Sequence, residues 1–212
     1  MEKGGVKMCM NNSMCGCSSN NNVCENFGPF LAVDAACITP TTPVTTGSII
    51  PFSSGIVPAV LVTVASGLIG SVTLVGFGTS VPGVTLTGIN IDLTAAGVTE
   101  AFTVPRDGTI TSISATFAST VALSLGLGTA TVRAQVYRAV AGSNVFSPTS
   151  AAVDLVPPLS TIAIGTIASG NANVSVPVAT GDRLLMVFSL TTTGLTVVTT
   201  LTGNASAGIN IV

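Results

Sequence analysis

The residues best suited to covalent chemistry are five cysteines, all within the first 37 positions of the 212-residue chain. Cys9, Cys15, Cys17, Cys24 and Cys37 follow the spacing C-x5-C-x-C-x6-C-x12-C. Because five is an odd number, complete oxidation would leave at least one cysteine to pair with another chain. Disulfides would also restrict an N-terminal segment that has little core of its own. The spacing therefore predicts intermolecular or mixed disulfides.

Other interpretations of these cysteines stay open. A thiolate metal site is disfavoured, because the spacing lacks the paired C-x-x-C units of structural zinc sites and the chain has no histidine. Unpaired thiols without a role, or acylation of Cys15 or Cys17, are also compatible with the pattern. We expect no metal and no other cofactor.

The carboxylates offer little for catalysis. Asp107 and Asp182 each lie in a turn tetrad beside an arginine, Arg106 or Arg183, where a turn-stabilising role explains them. No oxygen-rich run of the calcium-loop kind is present. Without histidine the chain lacks the commonest general base, so we expect that it is not an enzyme. The remaining acids that could help to bind calcium are Asp92, Glu100 and Asp154.

Charge is scarce, because only 7% of the residues are charged and the formal net charge is −2. No basic cluster exists through which counterion release could drive nucleic-acid binding, so nucleic acid is excluded as a principal partner. Thr, Ser, Asn and Gly occupy the positions where a soluble monomer usually carries Lys and Glu. Such a surface packs against a similar surface at low desolvation cost, which favours self-association.

The composition divides the chain into two parts, with a boundary near Gly47. Residues 1–48 form a predicted Cys-rich connector that ends in an extended linker, Thr39–Pro43, since each proline restricts itself and its predecessor. Residues 49–212 form the predicted domain. No secretory signal is expected, because the stretch from Cys9 to Cys24 is polar where an apolar run should follow the first lysines.

Alternating apolar and polar residues predict β-strands through the C-terminal part of the domain. The sequence 184–190 is apolar on both faces and predicts a central strand, whereas Pro177 indicates an edge or strand-end position for the strand 173–178. Short strands separated by turn signals indicate a β-sandwich of the jelly-roll kind. The alternating strands are 89–93, 112–117, 132–137 and 173–178, and the turn signals are 105–108, 141–144, 157–158, 180–183 and Gly203-Asn204.

The uncharged stretch Val57–Phe77 is long enough to span a bilayer. Its flanks carry no Lys or Arg to orient a span and no Trp or Tyr to anchor it. We therefore favour buried strands or a buried helix and do not expect a membrane partner, with a membrane helix as the remaining alternative.

Five segments in fixed order resemble the C-terminal domain of BclB-type spore-surface (exosporium) glycoproteins of Bacillus-like bacteria. The resemblance covers roughly residues 49–212, and the joint order is more specific than any one segment. It implies a jelly roll, because the related BclA domains are trimeric jelly rolls like those of tumour necrosis factor and C1q. The segments are Pro51–Gly55, Val75–Gly78, Phe102–Ser112, Asp182–Phe188 and Ala205–Ile211.

The family carries this domain at the end of a collagen-like stalk, whereas the present sequence has no Gly-X-Y tract. A short Cys-rich arm before a jelly roll is similar in plan to the subunits of Bacillus endospore appendages. In those pilus-like fibres the N-terminal connector of one subunit docks on the next and is cross-linked there. No shared motif accompanies this second resemblance.

We therefore expect an all-β jelly-roll β-sandwich (TNF/C1q-like) with an extended Cys-rich N-terminal arm. The expected function is that of a structural, self-assembling subunit of a spore-surface fibre or exosporium layer. Its partners would be further copies, as trimers or a helical fibre, and anchor proteins of the exosporium or appendage. The alternatives are a C1q-like trimeric binding head and a membrane-anchored spore coat protein. Arg133, Gln135 and Tyr137 are the predicted interface anchors, since Tyr and Arg are enriched at hot spots, with a simply exposed strand face as the alternative.

Overall fold

The protein is described by a computed structural model that covers residues 47–94, 100–126, 128–194 and 197–212. These residues form strands and loops without a helix. The strands are β1 (Ser48–Ser53), β2 (Ala59–Thr63), β3 (Ile69–Val75), β4 (Ser80–Val84), β5 (Ile91–Asp92), β6 (Phe102–Thr103), β7 (Gly108–Ser119), β8 (Leu123–Ser124), β9 (Thr129–Ala139), β10 (Val145–Asp154), β11 (Thr161–Ile162), β12 (Ile167–Val178), β13 (Arg183–Thr193) and β14 (Thr200–Ile211).

Eight of these strands form two antiparallel sheets. Sheet A has the order β12-β7-β14-β1, and sheet B has the order β10-β9-β13-β3. Numbered along the chain from one to eight, the strands run 6-3-8-1 in sheet A and 5-4-7-2 in sheet B. This alternation between two sheets is the strand order of a jelly roll, so the predicted fold class is confirmed.

The stretch 57–77 forms strands rather than a helix. Strand β2 pairs with β14 of sheet A, β3 pairs with β13 of sheet B, and β2 and β3 pair with each other, so this hairpin closes one side of the sandwich. On the opposite side, Val156 and Ser169 exchange two backbone hydrogen bonds of 2.9 Å. Within the described residues, no helix is long and apolar enough to cross a membrane.

The core fills the space between the two sheets. In β7 the predicted alternation is confirmed, because Ile113, Ala115 and Phe117 are buried in the core between the sheets, whereas Ser112, Ser114 and Thr116 are exposed or half-buried. Pro177 lies in β12, which is an edge strand of sheet A as predicted. Strand β13 is central in sheet B, and its residues 184–190 are all buried.

The outer face of sheet B is covered by a third layer, which explains why β13 is apolar on both faces. Leu185 and Val187 point away from the main core and pack with Leu74 and Tyr137 against the segment 81–93. Ile91 of that segment is fully buried. The second apolar face of β13 is thus used within the same chain.

Two local predictions are wrong. The predicted strand 89–93 is reduced to β5, because Thr87 and Asn90 form a turn by exchanging backbone hydrogen bonds and leave Ile89 69% exposed. The predicted turn at Gly203-Asn204 is instead part of β14, where the glycine leaves room for the ring of Phe117. The predicted N-terminal connector lies outside the described residues apart from Gly47 and Ser48.

Candidate assembly face

The outer face of sheet A is an ordered array of uncharged side chains. The register of β1, β14, β7 and β12 places alternate residues in rows across the sheet, and all of them are exposed or half-buried. We call these residues the uncharged face. Its rows are Ser53–Ser206–Thr116–Ser169, Pro51–Gly208–Ser114–Asn171, Ile49–Asn210–Ser112–Asn173, and the shorter Asn204–Ala118–Ile167.

The uncharged face is concave along its centre. A groove of about 530 Å³ runs across it between Ile49 on β1 and Asn171 on β12, with Ser114 and Asn210 in its lining. The Asn210 amide nitrogen donates a hydrogen bond of 2.9 Å to the hydroxyl of Thr111, and its Oδ1 is buried, so the exposed polar groups of the groove are those of Ser114, Asn171 and Asn173. The face can therefore offer amide and hydroxyl groups to a partner without burying a charge.

The charged residues of the described chain lie elsewhere. They occupy sheet B, β5 and the connecting loops, so none of them lies at an outward position of β1, β7, β12 or β14. These residues are Asp92, Glu100, Arg106, Asp107, Arg133, Arg138, Asp154, Asp182 and Arg183.

Asp107 and Asp182 both stabilise the turn between β12 and β13; for Asp182 this is its own turn tetrad, whereas Asp107 reaches this turn from the loop before β7. Oδ1 of Asp107 accepts hydrogen bonds from the backbone N (2.7 Å) and hydroxyl (2.9 Å) of Thr180. These bonds, the backbone bond first, lower the pKa of Asp107 below its ordinary value. Asp182 Oδ2 accepts a hydrogen bond from the backbone N of Ala179 and lies 2.8 Å from Nε of Arg138.

The three acids considered for calcium are engaged separately. Glu100 accepts a hydrogen bond of 2.8 Å from the hydroxyl of Thr79, and Asp154 lies 3.6 Å from Nε of Arg133. Hydrogen bonds from the side chain and backbone of Thr94 lower the pKa of Asp92. Across the described residues, no group of three His, Cys, Asp or Glu side chains is placed to hold a metal ion.

The three predicted interface residues share the outer face of sheet B, on the opposite side of the sandwich from the uncharged face. Arg133 is exposed, and the Gln135 amide donates a hydrogen bond of 2.8 Å to the carbonyl of Thr149. Tyr137 is only 6% exposed, because the third layer covers it. Burial raises the pKa of Tyr137, against the opposing effect of the Arg133 charge. The interface role of these three residues stays a prediction.

Sequence reasoning did not locate the uncharged face. The sequence contains part of the information, because the outward positions of β7, β12 and β14 carry no charge. Only the strand order, however, shows that these three strands and β1 lie side by side. The five cysteines lie outside the described residues.

Comparison with known proteins relates most of the chain to part of a larger protein. No protein-family model matches the sequence. Collagen-like protein 1 of Acanthamoeba polyphaga mimivirus is 38% identical over 174 residues, an alignment that covers 77% of this chain and 18% of that protein. Among solved structures, Eiger TNF from S. frugiperda matches with a TM-score of 0.35 and 9% identity over 79% of this chain and 94% of that chain. In sequence, the chain is thus similar to a limited portion of a collagen-like protein.

Proposed function

We propose that the chain is a structural protein of a bacterial spore surface, whose jelly-roll domains self-associate through the uncharged face. The observation that carries the proposal is the absence of charge from every outward position of four adjacent strands. Most soluble domains protect an exposed sheet with charged side chains. Here two such faces can pack together without desolvating a charge.

The size of the uncharged face suggests a reversible contact. Four strands about 4.8 Å apart and four rows about 6.7 Å apart span roughly 500 Å². A typical stable interface buries about 800 Å² on each partner. Association through this face alone would therefore be weak, and a further link between subunits would strengthen the assembly.

We assign that further link to Cys9, Cys15, Cys17, Cys24 and Cys37 in the N-terminal arm, which would form disulfides between neighbouring subunits of a fibre or exosporium layer. The odd number of cysteines supports this assignment. The resemblance to the BclB-type domain supports the spore-surface location, and similarity to part of a protein named collagen-like agrees with that resemblance. Anchor proteins of the same surface would be further partners.

A pair of matched substitutions tests the role of the uncharged face. Ser114→Lys places a charge at its centre, whereas Ser150→Lys places the same charge at an exposed position of β10 in sheet B. In reductant, which removes any disulfide link, light scattering after gel filtration should show an oligomer for the wild-type chain and for Ser150→Lys, and a smaller species for Ser114→Lys. An unchanged oligomer in Ser114→Lys would refute assembly through this face.

The role of the arm is tested by negative-stain electron microscopy of the full chain with and without reductant, beside a variant with all five cysteines changed to serine. We expect fibres that shorten or disappear when the cysteines are reduced or removed. Fibres of unchanged length in all three samples would show that packing alone holds the assembly.

The groove in the uncharged face favours a second candidate, a binding head that uses the exposed Asn171 and Asn173 to recognise a polar ligand. Such a head would form one discrete oligomer that does not grow with concentration. Discrete particles in every sample of the microscopy experiment would favour this alternative over the fibre.

A further inference from the structure

Asp107 is followed by Gly108, and the chain contains no other Asp-Gly pair and no Asn-Gly pair. An aspartate in this setting can react with its own main chain. The backbone nitrogen of the next residue attacks Cγ, water leaves, and a five-membered succinimide ring forms. Glycine favours the attack because it has no Cβ to shield its nitrogen. This pair is therefore the Asp-X position of the sequence most prone to such a modification.

The fold requires both residues of the pair. A Cβ atom at position 108 would lie 2.8 Å from Cγ2 of Ile211 and 2.9 Å from the backbone oxygen of Val212, so glycine is needed at the start of β7. The carboxylate of Asp107 is needed by Thr180, whose backbone N and hydroxyl both donate to Oδ1. The packing of the domain thus keeps a reactive pair in place.

The turn that carries Thr180 is fixed against the loop that carries Asp107. The backbone N of Gly181 donates a hydrogen bond of 2.9 Å to the carbonyl of Val104, and the backbone N of Val104 donates one of 2.8 Å to the carbonyl of Asp182. Thr180 is therefore held in position and cannot follow the Asp107 side chain if that side chain rotates.

The same hydrogen bonds oppose ring closure at Asp107. Closure must turn Cγ toward the nitrogen of Gly108, and this rotation strains both bonds from Thr180. The bond from the backbone N, and then that from the hydroxyl, also lower the pKa of Asp107. An ionised carboxylate is a poor electrophile, because its oxygen leaves as water only after it has gained protons. The nitrogen that would attack is restrained as well, since Gly108 pairs with Val178 in the ladder between β7 and β12.

We propose that Thr180 protects the Asp107-Gly108 pair from isomerisation and so extends the chemical lifetime of the domain. In the unprotected reaction, a bond forms between the nitrogen of Gly108 and Cγ of Asp107 while a carboxyl C–O bond breaks and water is released. Water then opens the ring at one of its two carbonyls. Attack at Cγ restores aspartate. Attack at the main-chain carbonyl of Asp107 breaks its bond to the nitrogen of Gly108 and leaves isoaspartate.

Isoaspartate at position 107 would remove the contact that protects it. The main chain would run through Cβ and Cγ, so one additional carbon atom would precede β7, and the free carboxylate would stand directly on Cα. Thr180 would lose its acceptor. Thr109, which exchanges two backbone hydrogen bonds with Val212, follows directly in the chain, so its pairing would be displaced as well. The inference requires no contact between copies and is independent of the proposed function.

The test follows isoaspartate at position 107 in the full chain, incubated in reductant at neutral pH below its unfolding temperature. Enzymatic methylation of isoaspartate and mass spectrometry of the digested chain measure its rate of formation. Thr180→Val removes the hydroxyl donor and keeps a β-branched side chain, whereas Thr180→Ser keeps both donors. We expect roughly tenfold faster formation in Thr180→Val than in the wild-type chain, as for the loss of one hydrogen bond to a charged group, and the wild-type rate in Thr180→Ser.

The same proteins unfolded in urea provide the reference, because the wild-type chain and both variants should then react at one common, faster rate. Asp107→Glu is the chemical control, since its longer side chain would have to close a six-membered ring and should give no signal at this position. Circular dichroism during the incubation shows that Thr180→Val stays folded. Equal rates in the folded wild-type chain and folded Thr180→Val would overturn the inference, as would a folded wild-type chain that reacts as fast as in urea.

Discussion

Nε of Arg138 lies 2.8 Å from Oδ2 of Asp182 and joins strand β9 to the turn that precedes β13. The Asp182 side chain is 4% exposed and that of Arg138 is 30% exposed, so the carboxylate depends on this cation and on the backbone N of Ala179. A second ion pair, Arg133 with Asp154, is longer at 3.6 Å and exposed on both sides. The two pairs should therefore differ in their contribution to stability.

We predict that Arg138→Met lowers the free energy of unfolding by about 3 kcal/mol, because it leaves the buried carboxylate of Asp182 without its cation. Arg133→Met is the matched control and should cost less than about 1 kcal/mol, as exposed pairs do. Urea denaturation at neutral pH measures both changes. Equal losses in the two variants would contradict the prediction.

The backbone of Gly203 lies so close to the ring of Phe117 that a side chain at position 203 would collide with it. A Cβ atom at position 203 would lie 2.5 Å from Cζ of Phe117 and would also meet the backbone oxygen of Ala118. We predict that Gly203→Ala lowers the free energy of unfolding by roughly 1–3 kcal/mol through overpacking. Gly208→Ala in the same strand is the control, because the nearest atom to its new methyl would be 3.9 Å away. Thermal denaturation of the two variants should separate them, and a Gly203→Ala midpoint no lower than that of Gly208→Ala would refute this account.

Gly203 also shows where sequence reasoning fails. A Gly-Asn pair predicts a turn from local conformation alone, whereas here the glycine is required by a phenylalanine that is distant in the sequence. The strand at 113–117 was predictable because alternation is a local pattern. The third layer over Tyr137 was not, because it depends on which segment folds back over sheet B. The uncharged face was not predictable for the same reason, because its strands become neighbours only through the jelly-roll order.

Tyr137 is the only tyrosine of a chain that has no tryptophan, so it reports directly on the third layer. Its pKa is raised above the ordinary value of 10.0, chiefly by burial. Since the folded protein holds this proton more tightly than the unfolded chain, the contribution to stability is complete below pH 10.0 and is lost as pH rises through the folded pKa.

We therefore predict that the free energy of unfolding falls above pH 10.0. We also predict that tyrosinate absorbance appears at a higher pH in the folded protein than in the urea-unfolded chain. Tyr137→Phe should remove the absorbance change and flatten this part of the stability profile. Titration of native Tyr137 at the same pH as the unfolded chain would argue against its burial under the third layer.

Asp107 should contribute a loss of stability in acid, whereas Tyr137 contributes one in alkali. Thr180 donates to its carboxylate through the backbone N and the hydroxyl, and the pKa of Asp107 is lowered from the ordinary value of 3.8. The ionised form is therefore favoured in the folded protein, and its contribution to stability is present above pH 3.8 and lost as pH falls through the folded pKa.

Asp107→Asn keeps an acceptor oxygen but removes the charge, so the variant should be less stable than the wild-type chain at neutral pH and equal to it near about pH 2. Chemical denaturation at the two pH values measures the difference. A gap between the two proteins that persists undiminished in acid would show that the side-chain geometry, and not the charge, holds Thr180 in its turn.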